Sequence, residues 1–374
     1  MTNPTNATWI EVDLNAIKNN IQLISRSTKS AVMAVVKANG YGHGIVEVAK
    51  ASESAGVAWL GVARLDEAIQ IREAGVLTDI LVLGHTSSVD IPMAVENNVS
   101  LAIHSFDQIE NYSKSIHNLT GKIKIHVKID SGMGRLGVSL EEALPFITSL
   151  KNQEKFQLDG IFTHMARADE IDVETTNIQL ERFNQLLNLL CKENITFNWI
   201  HAANSAAALF HPDSRFNLVR PGISIYGLNP SFTASLSPEF LPSLSWKTVL
   251  TSVKVLPPNS GISYGHAYIT KKYERVGTIS VGYGDGFRRV SNNEVLVRGK
   301  RVPVIGNVCM DQCIVSLEGI PDACPGDEVV LIGKQVNEVM SAENVAIRWN
   351  TIVYEPICGL TNRIPRIYNR KTGE

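Results

Sequence analysis

Cysteine is sparse and unpatterned in this chain. Its five cysteines, Cys191, Cys309, Cys313, Cys324 and Cys358, are odd in number, scattered, and include no C-x-x-C pair, so neither a disulfide framework nor a zinc site is indicated. Long apolar runs are missing as well, since nothing approaches the ~18 consecutive apolar residues of a spanning helix. No single sign of charge dominates. Lys and Arg number 35 against 37 Asp and Glu, and no basic tract occurs, so the chain lacks the electrostatic footprint of a nucleic-acid or membrane-surface binder. The segment MTNPTNATWIEVDLNAIKNN has no basic n-region and no apolar h-region, so a secretory signal is not expected and a reduced, cytoplasmic protein is. What remains has ordinary globular usage, 44% hydrophobic and 19% charged over 374 residues, enough for a barrel-sized domain and a smaller one.

Over the first ~230 residues, short Val- and Ile-rich runs alternate with helix-period segments, the pattern of a parallel sheet with helical crossovers. The runs Val32–Val36, Trp59–Val62, Ile80–Leu83, Leu101–Ile103, Ile123–Ile129, Leu158–Phe162, Asn198–His201 and Asn217–Val219 are predicted strands. Helices such as Val46–Ala55, Asp66–Ala74 and Thr175–Lys192 lie between them. Eight such units in this length predict an α/β fold, a TIM (β/α)8 barrel, with an open doubly wound sheet as the alternative. After Asn229 the helical period disappears. Alternating stretches (Lys247–Val255, Val276–Gly282, Glu294–Val297, Val302–Val304, Glu328–Ile332) are broken by turn sequences such as Pro257-Pro258-Asn259-Ser260-Gly261, which predicts a mostly β C-terminal domain. The division is placed at residues 1–235 and 236–374, with the linker around Ser231–Pro242.

A barrel carries its active site at the C-terminal ends of its strands, and here those ends are polar. They present Lys37, His85, His104, Asp130 with Arg135, His164, His201 with Asn204 and Ser205, and Arg220-Pro221-Gly222. Cations, donors and imidazoles with few carboxylates suit an anionic ligand better than a metal. Lys37 leaves a near-continuous apolar strand, where burial would lower its pKa and make it a usable nucleophile or base; a snorkelling lysine is the alternative. Gly40-x-Gly42-x-Gly44 is not a dinucleotide fingerprint. Asn217-Leu218-Val219-Arg220-Pro221-Gly222-Ile223 is either a phosphate site after the eighth strand or a plain turn. In the fifth strand His126, Lys128 and Asp130 share one face; if it points inward, Lys128 needs Asp130 or a charge-removing modification, and if outward, only solvent. The histidines His43, His85, His104, His126, His164 and His201 have no H-x-x-x-H spacing beside an acid, so no metal site is expected.

Several of these segments resemble the pyridoxal-phosphate-dependent alanine racemases. AVVKANGYGHG at 34–44 is similar to the family's cofactor-lysine segment. The likeness continues through Lys128–Gly137, Phe162–Ala166, His201–Ser205, Val219–Ile223, Ser263-Tyr264-Gly265, Val281–Gly286, Gly306-x-x-Cys309-Met310-Asp311-Gln312 and Tyr354-Glu355, in order along both domains. The resemblance implies a pyridoxal 5'-phosphate enzyme, a homodimer whose sites use both subunits, acting on a small amino acid and supplying D-alanine for peptidoglycan. It implies that Lys37 carries the cofactor and is one acid/base, with Tyr264 of the partner subunit the other. Tyr41, Ser205, Gly222, Ile223 and Tyr354 would hold the phosphate, Arg220 the pyridine nitrogen, and His164 would buttress Arg220. Arg135 would reach the phenolic oxygen and lie near the substrate carboxylate, Met310 would give that carboxylate a backbone group, and Lys128 matches a lysine that can be carbamylated. Removing an α-proton and returning one to the opposite face calls for two groups on opposite sides of a plane, which Lys37 and Tyr264 fit. An arginine at the ring nitrogen only donates, which weakens the electron sink and restrains side reactions. Asn307, where the family commonly has arginine, and Arg167, where a smaller residue is usual, concern substrate range. A broader or serine-directed racemase and a non-catalytic cofactor carrier are the alternatives; Tyr354 argues for alanine and Tyr264 against a carrier.

Overall fold

The computed structural model describes residues 7–116 and 121–369. Two compact units divide the chain: one takes in Ala16–Gly40 and Ile45–Leu241, the other the residues up to Asn15, Tyr41–Gly44 and those from Pro242 onward.

In the first unit the strands Ala31–Val35, Trp59–Val62, Asp79–Val82, Val99–Ile103, Ile123–Lys128, Phe156–Phe162 and Trp199–His201 pair in parallel in chain order, and the eighth, Leu218–Val219, pairs in parallel with the first. These runs are apolar almost throughout because a barrel strand is covered on both faces, inside by packed side chains and outside by helices. The eighth strand is shorter than expected because Asn217 uses its side chain instead. Its Oδ1 accepts the Ile200 N–H at 2.8 Å and its Nδ2 donates to the Asn198 carbonyl at 2.7 Å, and Arg220 N–H donates to Ala203 O at 2.9 Å. Those bonds close the ring. Met33, Trp59, Leu81 and Leu218 pack together fully buried within it, and each such side chain contributes about 1.5–3 kcal/mol. Outside, the helix Glu174–Lys192 buries Thr176, Gln179, Leu180, Phe183, Leu186 and Leu190, the spacing of one helical stripe.

The second unit is a nine-stranded sheet. Leu244–Leu256 pairs with both Glu274–Ile279 and Glu328–Gln335. Cys313–Ser316, Lys300–Ile305 and Glu294–Val297 complete the circuit, all antiparallel. The expected continuous 1–235 barrel segment is corrected at its start: Thr8–Asp13 pairs antiparallel with Leu244–Thr248 and parallel with Arg366–Asn369, in the β unit. A barrel already closed by eight strands has no edge left for it, and this unit buries Ile10 and Val12 completely. Helices are not absent after Asn229 either. Ala342–Arg348 starts at Ser341, whose Oγ accepts the Asn344 N–H, and Tyr354–Cys358 follows; both are too short to print a helical period.

Candidate active site

The first strand delivers Lys37, half-buried, into a turn of unusual hand. Ala38, Asn39, Gly40 and Tyr41 all have φ between 51° and 62°, a left-handed stretch that costs roughly 1–2 kcal/mol for each non-glycine residue. Side chains offset that cost: Glu67 Oε1 accepts the Ala38 N–H at 2.6 Å while its Oε2 accepts the Ala63 N–H at 2.8 Å, and Asn39 Oδ1 accepts the Ile45 N–H at 3.0 Å. Strain so held is a mark of functional sites. The glycines that follow serve close approach. A Cβ on Gly42 would stand 2.0 Å from the Ile357 carbonyl oxygen, and one on Gly44 would stand 1.9 Å from the Tyr368 hydroxyl. Beside them the rings of Tyr41 and Tyr354 lie 6.2 Å apart, centre to centre.

The polar face of the fifth strand points inward. His126 and Lys128 are buried, and Lys128 Nζ sits 5.6 Å from the centre of the Phe162 ring. Burial, then the cations of Arg135 and Arg220, bring its pKa down to about 8, with Asp130 opposing and Lys37 adding to the effect. Asp130 is otherwise engaged: its Oδ1 accepts N–H groups of Gly132, Met133 and Gly134 at 2.8–3.1 Å. Burial would raise its pKa, but these bonds outweigh it and hold the carboxyl below its usual range. The loop they shape carries Arg135, exposed.

Arg220 is buried, which lowers its pKa to about 9 and leaves it charged at neutral pH. No carboxylate touches it among the described residues. Its Nη1 donates to His201 Nδ1 at 2.9 Å, and its Nη2 to the carbonyls of Thr163 at 2.7 Å and Ala202 at 3.0 Å and to His164 Nδ1 at 3.2 Å. Burial first, then Arg220, push His164 and His201 well below the ordinary imidazole value, so both are neutral and able to accept. Next along, Ser205 Oγ accepts the N–H of Gly222 at 2.8 Å and of Ser224 at 3.3 Å. With its lone pairs used, the Ser205 hydroxyl proton is what it offers a ligand.

Thus Lys128, His164, Ser205, Arg220, Gly222 and Ile223 gather around the C-terminal ends of the barrel strands. Lys37 and Arg135 belong to that cationic field, since both act on His164. Tyr264 and Met310 lie in the β unit. Tyr264 is 73% exposed on a short turn, and Asn307 Nδ2 donates to its carbonyl at 2.7 Å. Met310 uses its own carbonyl to accept the Gly284 N–H at 2.9 Å, so its N–H is the group it can offer. Arg167 is paired with Glu170 at the surface. Glu67 and Asp159 cannot be found from the sequence, since a glutamate in a helix and an aspartate in a strand carry no local signal.

A family model described as "Alanine racemase, N-terminal domain" matches residues 12–230, and "Alanine racemase, C-terminal domain" matches 243–368. The chain belongs to the alanine racemase family. Alanine racemases of Methanococcus maripaludis and Halalkalibacterium halodurans are each 42% identical to it, over 96% and 97% of this chain and 98% and 95% of theirs. The crystal structure of the Bacillus anthracis alanine racemase with bound L-Ala-P superposes with a TM-score of 0.94 at 39% identity, covering 100% of this chain and 97% of that one. A Clostridium difficile alanine racemase gives 0.93 at 35%, covering 99% and 97%. The resemblance read from the motifs is thereby confirmed, as are the barrel and the mostly β unit after it. This family member is an enzyme, an isomerase. Among the described residues no group of His, Cys, Asp and Glu is arranged to hold a metal ion, and no helix is long and apolar enough to cross a membrane.

Proposed function

We propose that the enzyme interconverts L- and D-alanine with pyridoxal 5'-phosphate, in the cytoplasm, and so supplies D-alanine for peptidoglycan. Arg220 carries this reading: a buried cation held by carbonyls and neutral imidazoles, with only N–H groups to present, fits the unprotonated nitrogen of a pyridine ring. Lys37 and Arg135, whose charges both act on Lys128, form with it a cationic cluster that suits an anionic ligand. Ser205, Gly222 and Ile223, with Tyr41 and Tyr354, would hold the phosphate. His164 would buttress Arg220, and Arg135 would reach the phenolic oxygen.

When bound, the cofactor supplies an electron sink for negative charge developing at the substrate α-carbon. Lys37 Nζ moves the proton on one face, and the Tyr264 hydroxyl of the partner subunit moves it on the other. Arg135 and the Met310 N–H would orient the substrate carboxylate. A carbamate on Lys128 would remove its uncomfortable positive charge and place an anion beside Arg135. The exposure of Tyr264, Tyr283, Met310 and Ile352 in the single chain supports a homodimer in which the second base comes from across the boundary.

The test is to reduce the isolated protein with borohydride and to assay it against a panel of L-amino acids. Cofactor fixed on Lys37 and D-alanine as the main product are expected. Attachment at another lysine, or racemisation favouring another amino acid, would overturn the reading.

A further inference from the structure

Behind Arg220 the barrel interior contains a chain of buried polar groups that the racemisation steps do not use. His201, fully buried, accepts from Arg220 at Nδ1, and its Nε2 lies 2.9 Å from Nδ1 of His126, also fully buried. His126 Nε2 is buried with no hydrogen-bond partner and faces Asp159 Oδ2 at 3.7 Å, beyond hydrogen-bond reach but within the field of the carboxylate, which favours a proton there over a lone pair. The other oxygen, Oδ1, accepts from Asn198 Nδ2 at 2.7 Å.

Backbone and packing build this chain. Ile125 pairs with Leu158 and His126 pairs with Gly160, so Asp159 is the extra residue of a β-bulge, a device that re-aims a side chain. Gly160 makes room, because a Cβ there would stand 2.3 Å from His126 Nδ1. Trp59 meets His126 edge-on at 4.9 Å, and Phe162 stacks on His201 at 4.7 Å with the planes 4° apart.

We propose that Asp159, His126 and His201 form a positioning relay that keeps a bare ring nitrogen turned toward Arg220 Nη1, so that this arm of the guanidinium always meets an acceptor and the side chain is held in place in the barrel mouth. Arg220 can only donate, so His201 Nδ1 must be bare and its proton sits on Nε2. His201 then donates to His126 Nδ1, and the His126 proton sits on Nε2 toward Asp159. Arg220 at one end and the Asp159 carboxylate at the other thus favour the same two tautomers. Burial favours the neutral rings this requires, as does the nearby charge of Arg220, with Asp159 and Asp79 opposing at His126. None of these residues meets the substrate; they act through Arg220, and the proposal rests on the reading that Arg220 faces the cofactor ring.

The decisive experiment is nitrogen-15 NMR of histidine-labelled protein, which reads tautomers directly. In the wild-type protein, with and without cofactor, His126 and His201 should both be neutral with the proton on Nε2; a proton on Nδ1 of either ring overturns the relay. Asp159→Asn should reverse it. Asn198 keeps the bond to the remaining oxygen, so the new amide N–H faces His126 Nε2, both rings move their protons to Nδ1, and a donor then confronts Arg220. Racemisation should fall on the order of tenfold or more, with borohydride still fixing the cofactor on Lys37. Reversal without loss of turnover, or loss without reversal, overturns the proposal; if the variant does not fold, the wild-type tautomers decide. Wild-type protein that fixes no cofactor on Lys37 would instead sink the underlying reading, and the tautomer result would stand apart from it.

Discussion

The side-chain amide of Asn307 donates to the backbone carbonyl of Tyr264 at 2.7 Å, tying an exposed phenol to the loop that leads into Met310. Ser263 adds a bond from its hydroxyl to the Asn307 carbonyl, and φ is positive at Ser263, Gly265 and His266. A turn this strained depends on such ties. The departure from the family's arginine at this position is therefore a brace for the proposed second base.

Asn307→Ala should accordingly lower racemisation about five- to tenfold, the worth of roughly 1–1.5 kcal/mol for one lost hydrogen bond, while leaving cofactor binding unchanged. Steady-state kinetics beside a cofactor titration would check this. Unaltered turnover would show that the turn holds its shape without Asn307.

Tyr264→Phe and Lys37→Ala should each abolish most activity alone. Mixed and allowed to exchange subunits, they should recover up to roughly a quarter of wild-type activity per protomer, because a two-fold heterodimer holds one site with both defects and one with neither. No recovery despite demonstrated heterodimers would mean that each site is built within one chain.

Ser205→Ala removes the acceptor shared by the Gly222 and Ser224 N–H groups, and with it the hydroxyl offered to the phosphate. Cofactor affinity should weaken on the order of tenfold or more, the cost of losing a hydrogen bond to a charged group. Equilibrium titration of the cofactor-free protein measures it. Affinity within twofold of wild type would place the phosphate elsewhere.

Stability should fall on acidification through the imidazole range. Burial lowers the pKa of His126, His164 and His201 in the folded protein, and the nearby Arg220, Lys128, Arg135 and Lys37 act in the same direction on His164. The unfolded chain therefore takes up protons as pH drops through about 6.5 while the folded one does not. The stabilisation is full above that pH and is lost below it. Denaturant unfolding should give a lower free energy at pH 5 than at pH 7.5; a flat profile would show that the rings protonate freely in the folded state.

Much of the molecule can be read from local pattern, because the physics there is local. A strand covered on both faces must be apolar nearly throughout, so the eight barrel strands stand out at close to their observed ends, and Lys37, His164 and Arg220 are placed simply by following them. The short glycine-bounded motifs at 34–44, 128–137 and 219–223 likewise carry the family without any coordinates. Tertiary structure alone settles whatever depends on pairing between distant segments. Thr8–Asp13 reads as the lead-in to a barrel and is instead a strand of the β unit, because its partner lies more than 230 residues away. Gly42 and Gly44 imitate a phosphate loop in sequence, yet their reason is the approach of Ile357 and Tyr368. The alternation of His126 and Lys128 shows that they share a face but not which way it points. The bulge that turns Asp159 toward His126 is a slip of register between two strands, and a slip of register has no signature in either strand alone.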